Sequence, residues 1–527
     1  MGKDKIVNSN TEGVEFELPQ VKPVVYKKKF KVSFSMSLEP EIRNKYQPVI
    51  GLEIHAQMLT NTKAFCSCST DFHTPANTNV CPVCLGSPGV LPVLNSRLVE
   101  FIIKMGLSTN CSIRDRSIFA RKNYFYPDLS KGYQISQFDT PICYEGNVDI
   151  ELKDGSSKKI SITRIHMEED AGKSIHDFSD HETLVDFNRC GVPLIEIVSE
   201  PDINTLEEAS LYLNKIKQIL IYLEICDGNM EEGSLRCDAN VSVMLKDAKE
   251  LGTRTEIKNL NSFKNVTDAI EVEIERQIKV IEAGGKIDYQ TMNYNAKDKK
   301  TTPLRSKEFA HDYRYFPEPD LVFVTVSDAQ KENIKKDLPE FPSEKRKRFM
   351  NDYSISAGDS TVLVQSKDYA FYFEEIISHL KNKDPKSYAI ASSWMNIEIG
   401  RVLNEQKYEI IQFPLKPEKI SSLIDFISEE KINRNTAQEI FNEMVSTLKD
   451  ANDIISEKNL IQVSDTSEID NIVKKVLIES KSEVERYRSG EKKLAGFFVG
   501  KIMKESKGKA NPKVVNELLL KNLTEVS

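Results

Sequence analysis

Val49-Ile50-Gly51-Leu52-Glu53-Ile54-His55-Ala56-Gln57-Met58 alternates between apolar and polar residues with hardly a break. In a strand, residues i and i+2 share a face. One face here reads Ile50, Leu52, Ile54, Ala56 and Met58, and the other carries Glu53, His55 and Gln57. Three further stretches repeat the pattern. Ile160–Glu169 puts Arg164, His166 and Glu168 on one face, with Glu169 and Asp170 at its end. Arg236–Leu245 sets Arg236, Asp238, Asn240 and Ser242 against Cys237, Ala239, Val241, Val243 and Leu245. Thr253–Leu260 groups Arg254, Glu256 and Lys258.

A half-buried strand ordinarily turns its polar face to water, and each stretch alone fits that reading. Solvent faces, however, are loose mixtures of Lys, Glu and Thr. Here every polar face joins an acid to Arg, His, Lys or an amide. Four such faces could line one concave site. Carboxylates suit Mg²⁺, with an imidazole as neighbour, and Arg and Lys suit phosphate oxygens. The pattern points to a nucleotide or phosphoryl-transfer site. The chain has neither a Gly-x-x-x-x-Gly-Lys-[Ser/Thr] loop nor a dinucleotide fingerprint after a strand, so side chains and metal would hold the phosphates. Asp154-Gly155-Ser156-Ser157-Lys158 reads as a hairpin turn rather than a nucleophile. No nucleophile and base pair for glutamine hydrolysis stands out.

Strand-rich, glycine-punctuated sequence continues to about Phe323, with two helices expected inside it. Thr205-Leu206-Glu207-Glu208 is a capping box that opens an amphipathic run through Leu206, Ala209, Leu213, Ile216 and Leu220. The second helix carries Ile270, Ile274, Ile278 and Ile281 and stops at Gly284-Gly285. After Pro342 and the charged junction Lys345-Arg346-Lys347-Arg348 the chain reads as helix after helix, the last with Asn511 as N-cap and Pro512 at its first position. The expected class is α+β, a large strand-rich domain followed by an all-helical tail.

Of nine cysteines, Cys66, Cys68, Cys81 and Cys84 fall within 19 positions. Cys66-x-Cys68 and Cys81-x-x-Cys84, 12 residues apart, have the spacing of a closed four-thiolate Zn²⁺ site with a structural role. Cys111, Cys143, Cys190, Cys226 and Cys237 are expected to pack as small apolar groups.

Lys plus Arg is 72 and Asp plus Glu is 80, a net charge of −8 over 527 residues, which excludes a wholesale polyanion binder. No apolar run approaches the roughly 18–20 residues that span a bilayer, so no membrane partner is expected. Residues 1–47 lack an apolar signal core and read as an extension, acidic first and basic from Lys22 to Lys31. From Glu491 to Lys521, eight lysines face three glutamates, a local +5. Lys504, Lys507 and Lys509 sit between two helices, where a loop could meet phosphates.

Val49–His55, Cys81–Gly86, Arg121–Asp128, His166–Lys173, Met230–Val241, Glu256–Phe263 and Asp312–Pro319 together resemble the B subunit of the tRNA-dependent amidotransferases, the GatB family. Gly496–Pro512 resembles that family's YqeY-like tail domain. The resemblance runs from about residue 48 to the end. It implies a cradle-like catalytic domain over 48–342, a helical linker domain over 343–400 and a YqeY-like domain over 401–527. It implies conversion of Glu-tRNA(Gln) to Gln-tRNA(Gln), and in many organisms of Asp-tRNA(Asn) to Asn-tRNA(Asn). ATP and Mg²⁺ would phosphorylate the misacylated side-chain carboxylate, and ammonia would displace phosphate. A glutaminase A subunit would supply the ammonia and a small C subunit would link the two. The zinc site would be retained, and the added leader suggests a eukaryotic organellar form, placed in the mitochondrial matrix, with the bacterial cytoplasm or a plastid as the alternatives.

The family's pattern assigns Glu53, His55 and Glu168 to the metal and ATP cluster, with Glu169, Asp238 and Glu256 next. Arg236, Arg254 and Lys258 would stabilise transferring phosphate, since loose phosphoryl transition states are catalysed mainly by positioned cations. The competing reading is a non-enzymatic, zinc-containing tRNA-binding scaffold, which would have no need of acid-plus-cation strand faces.

Overall fold

The computed structural model describes residues 38–525 apart from 72–73, 176–180, 307–312, 462–465, 507–509 and 511. All four alternating stretches form strands of a single nine-stranded sheet. The elements used below are the strands β1 (Tyr46–Gln57), β2 (Ala120–Asn123), β3 (Tyr133–Ser136), β4 (Ser157–Glu169), β5 (Pro193–Ser199), β6 (Leu235–Leu245) and β7 (Thr255–Lys258). The helices are α1 (Ser96–Ser108), α2 (Leu206–Tyr222) and α3 (Phe263–Glu282).

β1 is the fifth of the nine strands. On one side lie β5, then β4; on the other lie β6, then β7, every neighbouring pair antiparallel. Because the side-chain period is two, this register carries the apolar face of β1 wholly to one side. Ile50, Leu52, Ile54 and Ala56 are at most 1% exposed. They join one apolar core with Phe101 and Ile102 of α1, Leu213 and Ile216 of α2, and Ile270 and Ile274 of α3. Burying each such aliphatic side chain stabilises the fold by roughly 1.5–3 kcal/mol, which fixes the opposite face as the polar one.

Asp154-Gly155 closes the hairpin leading into β4, with Gly155 at φ +83° and the Asp154 carboxylate accepting from the Ser156 amide. α2 and α3 start and stop as expected. The Thr205 cap differs in one detail. Its hydroxyl accepts from the Glu208 amide at 3.1 Å, but the Glu208 carboxylate accepts from the Asn204 amide at 2.7 Å instead of returning to Thr205. That carboxylate also pairs with Lys158 at 2.7 Å, which draws it off the box geometry. α1 is a third helix in this region, beyond the two expected. Its Asn95 cap accepts from the Arg97 amide.

Past Pro342 every named element among the described residues is a helix. One apolar core gathers residues from Phe349 to Ile455, including Trp394, packed edge-on against Phe441 at 5.9 Å. Another gathers residues from Ile469 to Leu523. The boundary expected at 400/401 falls inside continuous helix, where a wider π turn over Trp394–Ile399 runs into Gly400–Gln406. Among the described residues no helix is long and apolar enough to cross a membrane.

Candidate functional site

The antiparallel register lines up charged residues in rows across the polar face. His55 of β1 lies opposite Glu196 of β5 on one side and Arg236 of β6 on the other, and Glu196 lies opposite His166 of β4. The row therefore reads Arg236, His55, Glu196, His166. One pleat along, Glu53 lies opposite Asp238. Glu196 Oε2 is 3.2 Å from His55 Nε2 and 3.6 Å from His166 Nε2. His55 Nε2 is also 3.6 Å from Glu53 Oε1, and His166 Nε2 is 3.3 Å from Glu168 Oε1. Two overlapping groups result, Glu53 with His55 and Asp238, and His55 with Glu168 and Glu196; within each, the ligand atoms lie within 4.8 Å of one another.

The small sheet formed by β2, β3 and Phe316–Pro317 supplies further partners. Ser136 Oγ donates to Glu168 Oε1 at 2.7 Å, Gln134 Nε2 donates to Glu168 Oε2 at 3.0 Å, and Lys122 Nζ stands 3.8 Å from the same carboxylate. Burial would push Glu168 up, but the charge on Lys122, with help from His166, brings it down to about 2. Glu196 is likewise driven well below the carboxylate range, against its own burial, by His166 and His55. Burial would also lower His55, yet its hydrogen bond to Glu196 and the charges of Glu196 and Glu53 lift it to about 9. Glu53 is raised, by burial first and then by the Glu196 charge. Crowded, desolvated acids of this kind are the surroundings a divalent cation relieves. His166 Nδ1 and the Nε atoms of Arg164 and Arg236 are buried without a hydrogen-bond partner.

Other expected residues take distinct places. Lys258 Nζ bridges Asp238 at 2.5 Å and Glu256 at 2.9 Å on the far edge of the face. Arg236 is turned by Asp170, whose Oδ2 lies 3.0 Å from Nη2 and also accepts from Gln57 at 2.9 Å. Arg254 precedes β7, is exposed, and stacks on Tyr289 at 5.4 Å, so it does not join the acids. Glu169 follows Glu168 in the strand and therefore points to the other side. There Lys131 Nζ and the Ile135 amide donate to Glu169, and it lines a cavity of about 210 Å³ with Lys63, Cys66 and Cys84.

Glu196, Lys122, Gln134 and Ser136 are site residues that sequence reasoning did not single out. Glu196 left a trace, as the one acid inside Leu194-Ile195-Glu196-Ile197-Val198. A charge in an otherwise apolar strand is rarely buried unless paired. β2 and β3 are four residues each, too short for a period to show.

The four clustered thiols converge, with their sulfurs within 4.8 Å of one another. Cys81 and Cys84 sulfurs are 3.9 Å apart, close to the roughly 3.8 Å edge of a tetrahedron with metal–sulfur bonds of about 2.3 Å. Lys63 is fully buried beneath them, donating to the Asn79 and Phe187 carbonyls at 2.7 and 3.3 Å and lying 3.7 Å from Cys84 Sγ. The hydrogen bond with Cys66, aided by the Lys63 charge, lowers the Cys84 thiol to about 5. Cys143, Cys190, Cys226 and Cys237 are buried and Cys111 half-buried, all as free thiols. In the tail, Lys504 is exposed near the end of the helix Ala495–Glu505, while Lys507, Lys509 and Asn511 lie outside the described residues, as do residues 1–37.

Residues 48–332 match a family described as the GatB/GatE catalytic domain, and residues 371–523 match one described as the GatB domain. The chain is 55% identical to the B subunit of the aspartyl/glutamyl-tRNA(Asn/Gln) amidotransferase from Thermodesulfovibrio yellowstonii, over 91% of this chain and 100% of the relative. It is 52% identical to the proteins of the same name from Chlorobium phaeobacteroides and Geotalea daltonii, each over 91% of this chain and 99% of the relative.

Proposed function

The chain belongs to the family of aspartyl/glutamyl-tRNA(Asn/Gln) amidotransferase B subunits, and from that premise we propose how its site works. As such a subunit it serves a tRNA-dependent amidotransferase, a glutamine-hydrolysing ligase. The substrates on this reading are ATP and a misacylated tRNA, Glu-tRNA(Gln) and also Asp-tRNA(Asn). A side-chain carboxylate oxygen attacks the γ-phosphorus, the bond to ADP breaks, and an acyl phosphate forms. Ammonia then attacks the acyl carbon, phosphate leaves, and the amide nitrogen loses a proton. A glutaminase A subunit supplies the ammonia, with a small C subunit joining the two.

The observation that carries this reading is the row Arg236, His55, Glu196, His166, buried at Glu196 and His166, with Glu53, Glu168 and Asp238 around it. Glu53, His55, Glu168, Glu196 and Asp238 would hold Mg²⁺, which neutralises charge on the transferring phosphoryl group when bound. Lys122, Lys258 and Arg236 border the acids and would meet phosphate oxygens. Ser136 and Gln134 fix the Glu168 carboxylate by hydrogen bonds. Glu256 holds Lys258 in place from the β7 side. Arg254 stands apart from this group and would act at its margin. Glu169 and Lys131 would serve the opposite side of the strand. A scaffold without catalytic duty is disfavoured, because a paired, desolvated ion cluster stabilises a fold no better than apolar packing of the same volume would.

Cys66, Cys68, Cys81 and Cys84 would hold a structural Zn²⁺, with Lys63 donating to the Cys84 sulfur and so favouring the thiolate. The residues ahead of the family match would address the chain to mitochondria; a reporter fused to residues 1–47 should then co-localise with that compartment. The reading as a whole is tested by Glu168→Ala in the reconstituted complex. Amidation of each misacylated tRNA should be lost while the Kd for tRNA stays within about twofold. Normal turnover in that variant would remove Glu168 from the site.

A further inference from the structure

Five aromatic rings form a continuous run beside the acid cluster. Tyr126 meets Tyr124 at 6.2 Å, Tyr124 meets Tyr313 at 6.0 Å, and Tyr313 meets Tyr315 at 5.9 Å. Tyr315 lies flat against Phe138, with centroids 4.1 Å apart and ring planes 6° from parallel. The middle of the run abuts the site. Tyr124 donates to Gln134, which donates to Glu168, and Lys122 lies 5.2 Å from the Tyr313 ring. Tyr315 thus lies two rings from Tyr124 and one from Tyr313, the ring that Lys122 faces. Both ends of the run reach solvent, with Tyr126 52% and Phe138 50% exposed. Phe125 and Phe316 nearby are 93% and 44% exposed. Solvent-exposed aromatic surface of this extent marks an interaction site.

The chemistry of the rings selects the occupant. The Phe138–Tyr315 pair is the one parallel contact of the run, the other three being edge-to-face, and Lys122 lies beside its middle. An exposed ring face near a cation is how proteins hold single-stranded nucleic acid, base on ring and phosphate on cation. Arg121 lies over Tyr133 and Phe316 at 4.2 and 5.8 Å. An aminoacyl-tRNA must bring its acyl group to Glu168 and Lys122 along a single-stranded end, and the run leads from solvent to that point. We propose that Phe138 and Tyr315, with Tyr313 behind them, form a stacking platform for the 3′-terminal base of the tRNA. This deepens the amidotransferase reading and rests on it for the identity of the RNA.

The test reads binding rather than turnover. A fluorescent acceptor-stem minihelix is titrated into the reconstituted complex, once with its 3′-terminal base and once abasic there. The wild-type complex should prefer the intact end by about tenfold. Phe138→Ala should bind both equally, and Phe138→Tyr should keep the preference, which separates loss of the ring from loss of folding. The KM for ATP should be the same in all three. Equal binding of both ends by the wild type, or an undiminished preference in Phe138→Ala, would overturn the platform. So would a defect in Phe138→Ala confined to the KM for ATP, since the rings would then hold the adenine of ATP. None of these results depends on amidation, so failure here is distinct from failure of the Glu168→Ala test.

Discussion

Glu196 is shared between two imidazoles, 3.2 Å from His55 and 3.6 Å from His166, with Arg164 Nη2 at 3.4 Å from its other oxygen. A neutral amide of the same size keeps the packing and removes the charge that holds His55 up and would anchor a cation. Glu196→Gln should therefore lower single-turnover amidation by about 10²- to 10³-fold, the scale seen when one electrostatic partner of a transition state is lost. Binding of tRNA should be unchanged to within about twofold. A variant that amidates at the normal rate would show Glu196 to be packing alone. The same residue marks the limit of what alternation reveals. Glu53, His55, Glu168 and Asp238 were legible because each shares a face with other polar residues two positions away. Glu196 has apolar neighbours at 194 and 198, and only the sheet register brings it opposite His55 and His166.

At the scale of elements, the strands and the helices α2 and α3 were legible because period and cap agree locally. α1 was not, since Ser96–Ser108 follows directly on the cysteine loop and its Asn95 cap lacks a box partner three residues on. The small sheet of β2 and β3 escaped for want of length, and with it Lys122, Gln134 and Ser136. The cysteine loop is the opposite case, where spacing alone foretold that four sulfurs would meet. If Zn²⁺ closes that loop, Cys81→Ser should leave the purified protein with less than about one-tenth of the wild-type zinc by elemental analysis. Full zinc content would reject the four-thiolate site. A second element-level prediction concerns the helix Pro342–Asp352. Arg348 binds Glu340 and Glu374, and its hydrogen bond holds the Glu340 carboxyl below the usual range. A depressed carboxyl contributes stability that is present above its unfolded value, near 4.3, and is lost as pH falls through the folded value. Half-exposed pairs of this kind are worth about 0.5–1 kcal/mol. Glu340→Gln should therefore cost about that much in urea unfolding at pH 7, and the difference should shrink as the pH falls below the unfolded value and through the lower folded one. An equal cost across that range would mean that packing, not charge, is what the substitution removes.

Across the whole molecule, the net charge of −8 averages two unlike regions. The sheet concentrates acids that a divalent cation would neutralise, whereas Glu491–Lys521 carries a local +5. Some of that basic charge is already engaged. Lys501 donates to Ser480 at 3.0 Å, and Lys475 on the neighbouring helix pairs with Glu505. Lys504 remains exposed at the end of its helix, and Lys507 and Lys509 follow it in the sequence. Each lysine that meets a phosphate releases counterions, so the logarithm of the binding constant falls with the logarithm of salt by roughly 0.7–0.9 per contact. Replacing Lys504, Lys507 and Lys509 by alanine should thus flatten the salt dependence of tRNA binding by about 2 to 3 units of slope, measured between 50 and 200 mM salt as order-of-magnitude limits. Amidation at saturating tRNA should be unaffected, because Lys504 lies on a helix of the tail whereas Glu53, Glu168 and Asp238 lie on the sheet. An unchanged slope would make the lysines a solvated face, and the affinity for tRNA would then rest on the sheet domain and its aromatic run.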